Sequence, residues 1–457
     1  MGEFKNNSLL KLLILSIPLV MIFLLSACVT TGLETGQLQP YSLSGTEVQE
    51  HVLNNGLKVL MIEDHKSPVA TFQIWYKVGS RRESAGKTGL SHYLEHAMFK
   101  GTPKYSSKEF SKIIQQNGGI DNAFTTKDYT MYYQTLISDR IGLSIDMESD
   151  RMTNLLLSPK EVSAEKNVIM EERRLRYEDD PQSLLFEKVT AEAITVHPYG
   201  TPVIGWMKDI QSIERDDLFN YYKTFYSPEN AFIVVAGDID PQTTIANIKQ
   251  YFEKIPKVEV PQASIPQQPK QTAYKEFTLK KQAELPFILI AYQAPSIPDK
   301  DSYALEILTA IFSGKSGRLY QSLVKDKELA LDSFAYYNGF YKDPYLYYFG
   351  ATVKPGKDTQ ALKAALFAEI DAIKSSPPTE RELQKAKNKI TSDFIMGLDS
   401  TFFQGQVLGM FEIIGDWKMK DTYIEEINNV TVADVLLVAD KYFSKDSSTV
   451  GILIPTY

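Results

Sequence analysis

A single cysteine in 457 residues leaves no internal disulfide to staple the fold, so stability has to come from a buried core. Composition permits one: 43% of positions are hydrophobic and 23% charged, ordinary globular values, with length for roughly two or three domains. Positive charge is also scarce. The formal net charge is -8 and the pI about 5.4, so no basic field exists to attract phosphate backbones, and nucleic acid is not expected as a partner. Histidine is rare too, five residues with no His-rich tract, which argues against a metal-carrying or scavenging protein.

The N-terminus has a different character. Lys5 and Lys11 precede an apolar run from Leu12 through Leu25, broken only by Ser16 and Pro18, with the length and flanks of a signal-peptide core. It is short for a spanning helix. It ends in Leu25-Ser26-Ala27-Cys28, which resembles the lipobox of bacterial lipoproteins, and the resemblance implies removal of residues 1–27 and a lipid on the Cys28 sulfur. Residues 28–46, rich in Thr, Gly, Ser and Gln, cannot bury enough apolar surface to order themselves and read as a flexible tether. The expected location is the bacterial cell envelope, facing the periplasm; Val29 is not an aspartate, which favours the outer membrane.

Beyond the tether, Val52 to Ile62 reads as two strand-like runs around Asn54-Asn55-Gly56, a strong hairpin signal. Val69 to Val78 continues as strand, and Gly89 to Phe99 switches to helical spacing through Leu90, Tyr93, Leu94 and Met98. Mixed strands and helices predict an α+β fold with helices on largely antiparallel sheet. A repeat is visible without gaps: Asp217 through Ser227 and Phe232 to Val235 match Asp434 through Ser444 and Thr449 onward at a constant offset of 217. Helix, polar turn and buried-looking strand recur in both copies, as a duplicated domain would leave them. Pro256, Pro261, Pro266 and Pro269 mark a linker between the copies. The expected domains are therefore residues 47–255 and 272–457, joined by 256–271.

The most specific feature is His92-Tyr93-Leu94-Glu95-His96, an H-x-x-E-H on a predicted helix. Residues four apart share a helix face, so both histidines can aim a ring nitrogen at one ion. Glu95, three after His92, lies on nearly the same face and can reach a metal-bound water, accept its proton and pass it to a leaving amine. Zinc suits a site with three protein ligands and one open position. A third ligand must come from elsewhere, and Glu165 through Arg174 is the richest acidic segment; helical spacing alone does not choose between Glu171 and Glu172.

The H-x-x-E-H order, with an acidic helix 76 positions beyond His96, is similar to the pitrilysin family of peptidases, which includes mitochondrial processing peptidase. Val78 to Glu83, Met98 to Thr102 and Asn117 to Thr125 extend the resemblance over much of the chain. It implies one zinc per chain on His92, His96 and Glu172, with Glu95 catalytic and Glu165, two turns before Glu172, supporting the site. It implies two duplicated α/β domains, the first bearing the metal and the second none. It further implies that Asn122, Ala123 and Phe124 lie on an edge strand that pairs with extended peptide. Family members often bring an arginine and a tyrosine from the facing half of a closed chamber; the matching positions are Val324 and Leu331, with Tyr336 or Tyr337 as substitutes. That departure suggests the zinc subunit of a heterodimer whose paralogous partner lacks the zinc motif. The expected activity is zinc-dependent endoproteolysis of small or unstructured peptides, and the alternative is a non-catalytic peptide-binding or assembly lipoprotein.

Overall fold

The computed structural model describes residues 47–456 apart from Lys108; the expected signal peptide, the tether and Cys28 lie outside the described residues. Within the first half the chain runs β1 (Val48–Val52), β2 (Lys58–Glu63), β3 (Val69–Tyr76), α1 (Leu90–Ala97), α2 (Glu109–Gln116), β4 (Ile120–Thr125), β5 (Thr130–Ile137), α3 (Ile141–Asn154), α4 (Pro159–Arg173), α5 (Pro181–Ala193), α6 (Met207–Ser212), α7 (Arg215–Phe225), β6 (Ala231–Gly237) and α8 (Pro241–Phe252). The second half runs β7 (Lys275–Gln282), β8 (Phe287–Ala294), α9 (Asp301–Phe312), β9 (Ala330–Tyr336), β10 (Tyr345–Val353), α10 (Thr359–Ser375), α11 (Glu380–Gly397), α12 (Thr401–Ile414), α13 (Lys420–Asn429), α14 (Val432–Tyr442) and β11 (Ser448–Thr456).

The Asn-Gly signal becomes a hairpin: β1 and β2 pair antiparallel from Val48↔Ile62 to Val52↔Lys58, and Gly56 takes φ 88°, a conformation that favours glycine. Two sheets result, in the orders β1-β2-β6-β3-β5-β4 and β7-β11-β8-β10-β9. With β1 set aside, the second order repeats the first strand for strand. Each sheet is antiparallel except for one parallel pair, β2 with β6 and β7 with β11. The offset of 217 holds at element boundaries, carrying Arg215, Phe225 and Ala231 onto Val432, Tyr442 and Ser448. It holds for capping chemistry as well, since Asp217 and Asp434 each accept their helix's N-cap backbone N–H at 2.8 Å.

Two helices cross between the halves. α5 lies on β8 and β11, where Leu185 and Val189 are buried against Phe287, Leu289 and Leu453. α12 lies on β3 and β6, where Leu408 and Ile413 join Trp75, Phe232 and Val234. The approach is close: a Cβ on Gly451 would meet the Val189 side chain at 2.5 Å, and one on Gly409 would meet the Trp75 ring at 2.2 Å. This crossing explains why β3 is buried on both faces from Ala70 to Tyr76. The connector, residues 253–274, contains neither helix nor strand.

Candidate metal centre

α1 is held at its start by a carboxylate seven residues upstream of Leu90. Glu83 accepts the backbone N–H of Gly89 and of Ser91, each at 2.7 Å, satisfying donors that the helix start leaves without partners. Gly89 itself has φ 93°, and a Cβ there would lie 2.4 Å from the Ile204 carbonyl oxygen, so position and conformation both demand glycine. Tyr93 and Leu94 anchor the helix in the first core. The opposite face carries His92 and His96 one turn apart, with ring centroids 4.7 Å from each other.

α4 brings the carboxylates. Ser158 caps it by accepting the Glu161 N–H, and Pro159 occupies its first turn, both ordinary start signals. Two turns separate Glu165 from Glu172, and both reach His96 from different sides. Glu165 Oε1 is 2.8 Å from His96 Nδ1, while Glu172 Oε2 is 3.4 Å from His96 Nε2 and 3.8 Å from His92 Nε2. Donor atoms of His92, His96 and Glu172 all lie within 4.8 Å of one another. A tetrahedral zinc with bonds of about 2.0–2.1 Å would set its ligand atoms roughly 3.3 Å apart, so small side-chain adjustments fit this trio to the ion.

Glu172 Oε2 is buried without a hydrogen-bond partner, although Arg176 holds the other oxygen at 2.9 Å. A cation beside Oε2 is what that orphaned oxygen needs. His92 Nδ1 is also buried and unpartnered, so its ring lacks the clamp that Glu165 gives His96. Electrostatics agree with cation binding. Burial and the neighbouring His96 push His92 down to about 3, leaving it a neutral ligand. Burial opposes ionisation of Glu172, but His96, His92 and Arg176 outweigh it and pull the carboxyl down to about 2. Burial likewise opposes charge on His96, yet Glu165 and Glu172 push it up to about 9; a divalent ion bound through Nε2 would displace that proton.

Glu95 stands beside this trio and outside it. Burial raises its carboxyl above the usual range, opposed by the Thr125 hydroxyl, which donates to Oε2 at 2.6 Å. Thr125 ends β4, the outermost strand of its sheet, which among the described residues pairs only with β5 and carries Asn122, Ala123 and Phe124 along its other edge. Glu171 is exposed and paired with Arg174 at 2.9 Å, and it is not among the three residues whose donor atoms converge. Val324 sits in a π-helical segment, Tyr320–Asp326, against the second core, and Leu331 on β9 is 45% exposed; neither side chain has a polar group to offer. Tyr337 is buried with its hydroxyl given to the Pro295 carbonyl at 2.7 Å. Reading the sequence did not single out Arg176, Thr125, Lys100 or the capping role of Glu83. Arg176 had a signal, four residues after Glu172 on one helical face, whereas Thr125 had none.

Two family models match the chain in succession. Residues 58–206 match the model "Insulinase (Peptidase family M16)" and residues 212–390 match "Peptidase M16 inactive domain". The chain is 31% identical over 408 residues to a Helicobacter pylori zinc protease named PqqE, covering 88% of this chain and 92% of that one. It is similar to the crystal structure of a protease from Helicobacter pylori, with TM-score 0.85 and 30% identity over 90% of this chain and all of that one (100%). A more distant likeness in fold alone is to the periplasmic protease PqqL from Escherichia coli, with TM-score 0.74 and 16% identity; it covers 90% of this chain but 48% of that one.

Proposed function

The chain belongs to the M16 peptidase family, and from that premise we propose that it is a zinc-dependent endopeptidase acting on small or unstructured peptides. The observation that carries the proposal is the convergence of His92, His96 and the orphaned Glu172 Oε2 beside a carboxylate, Glu95, that is not part of the trio. His92, His96 and Glu172 would hold the metal. Zinc, when bound, supplies Lewis acidity that polarises a carbonyl and brings the pKa of water to roughly 7.

The remaining work falls to side chains and backbone. Glu165 fixes the His96 ring through Nδ1, leaving Nε2 to ligate, and Arg176 fixes Glu172 through Oε1. Glu95 has Oε2 engaged by Thr125, so Oε1 is the atom that takes a proton from the attacking water and returns it to the departing amine. β4 offers its unpaired edge to an extended peptide, and strand addition would lay the scissile bond along Asn122, Ala123 and Phe124.

Two further parts of the proposal concern the setting. A paralogous subunit facing this one would complete a closed chamber, a reading supported by the apolar Val324 and Leu331. The lipobox-like Leu25 to Cys28 supports a lipid anchor in the cell envelope.

The test is hydrolysis of quenched fluorescent peptides by the purified full chain, with and without chelator, beside Glu95→Gln. Cleavage that chelator abolishes, and that falls about 10²-fold or more in Glu95→Gln while zinc stays bound, is the expected result. A folded, zinc-loaded chain that cleaves nothing either alone or with its paralogue would sink the proposal in favour of a peptide-binding role.

A further inference from the structure

Thr125 belongs to two assemblies at once. It is the last residue of the edge strand, and its hydroxyl makes the one hydrogen bond that the Glu95 side chain has among the described residues, at 2.6 Å. Glu95 and Thr125 sit on different elements, so the carboxylate of α1 is steered from the sheet. A glutamate has several rotamers open to it, and a single bond to one oxygen both selects the rotamer and frees the other oxygen.

The turn that succeeds Thr125 is unusually well fixed. Thr126 closes it on Tyr129, with the two backbones bonded at 2.8 Å and the Thr126 hydroxyl accepting the Asp128 and Tyr129 N–H groups at 3.2 and 3.1 Å. Asp128 at the turn's tip is buried, and the Tyr199 hydroxyl lies 2.7 and 2.6 Å from its two oxygens. It also accepts the backbone N–H of Lys342, from the second half, at 3.1 Å. Asp343 beside it takes Arg81 at 2.5 Å and His197 at 3.0 Å, so a loop of the metal-free half clamps the turn that ends β4.

We propose that Thr125 is a positioning residue for peptide hydrolysis, setting the Glu95 carboxylate with Oε2 held and Oε1 aimed at the attacking water, and that the second half keeps it there through Asp128. This rests on the peptidase reading of the site. The strand that receives the peptide and the base that activates water are then one mechanical unit. Because the clamp fixes Thr125 before substrate arrives, Glu95 is already aligned when a peptide pairs along β4. The benefit belongs to turnover rather than to capture.

The measurement is steady-state kinetics of the full, zinc-loaded chain as wild type, Thr125→Val and Thr125→Ser. Valine keeps the shape and removes the hydroxyl; serine keeps the hydroxyl. Thr125→Val is expected to lower kcat by about 10-fold to 100-fold with KM within about 2-fold, and Thr125→Ser to recover most of the loss. Bound zinc per chain should be unchanged in both, as should affinity for a non-cleaved peptide measured in a Glu95→Gln background. A Thr125→Val protein that turns over like wild type overturns the inference and leaves the peptidase intact. Equal losses in the valine and serine variants, or loss of zinc, assign Thr125 a structural role and overturn it too. A zinc-bound wild type that cleaves nothing, either alone or with its paralogue, removes the peptidase reading and this inference with it.

Discussion

Each ring nitrogen of His96 faces its own carboxylate, and the outer partners of those carboxylates decide how firmly the arrangement is held. Lys100 holds Glu165 at 2.5 Å and Arg176 holds Glu172 at 2.9 Å. Arg176 is half exposed, so its ion pair adds little to folding stability. Its weight is local: without it the Glu172 carboxylate can rotate Oε2 away from the histidines. Arg176→Ala should therefore weaken zinc binding by about 10-fold to 100-fold, read by competition with a fluorescent chelator, while the thermal midpoint barely moves. Unchanged zinc affinity would show that Glu172 needs no second partner. Much of this scale was legible in the sequence. The spacing of His92, Glu95 and His96 on one helix is a local, periodic signal, and family resemblance selected Glu172 over Glu171. Thr125 escaped because it meets Glu95 across 30 residues and a change of element, a contact that no periodicity encodes.

At the scale of elements, the crossed helices are the costliest to disturb. α12 carries Gly409 in its interior, where alanine would ordinarily favour the helix by about 1 kcal/mol. Here the added Cβ would lie 2.2 Å from the Trp75 ring, itself fully buried, so overpacking opposes the gain. Strain of about 1–3 kcal/mol in a packed core exceeds the propensity term. Gly409→Ala should lower the denaturant midpoint, and a midpoint equal to or above wild type would mean that Trp75 can move aside. The hairpin at Gly56, helix α1 and the repeated α7–β6 and α14–β11 units were readable because turn chemistry and apolar spacing are local. The placement of α5 and α12 was not. Apolar residues such as Leu185 and Leu408 announce that a helix is buried, and nothing in their pattern says against which sheet.

Over the whole molecule, the two halves share a strand order and differ in chemistry. All five histidines fall at or before His197, so the duplication is structural and the candidate metal site is not repeated. Their dependence on each other comes from the crossing. A fragment ending near residue 255 would lack α12 and expose Trp75, Phe232 and Val234 together, an apolar face of the kind that drives aggregation. Expressed alone, it should run as aggregate on size exclusion and show no cooperative melt, while a monomeric fragment with a sharp transition would refute the dependence. The constant offset of 217 made the duplication visible in the sequence, whereas the clamp of Asp128 by Lys342 and Tyr199 needed the folded chain to bring distant residues together.

Helices exchanged between two similar units would, on separate chains, make a swapped dimer that dissociates on dilution. Here residues 253–274 join the units covalently. Such a tether holds its partners at an effective concentration of order millimolar, whatever the concentration of the protein itself. The interlocking is thus unimolecular, and its strength is a constant of the chain that no degree of scarcity in the cell can dilute.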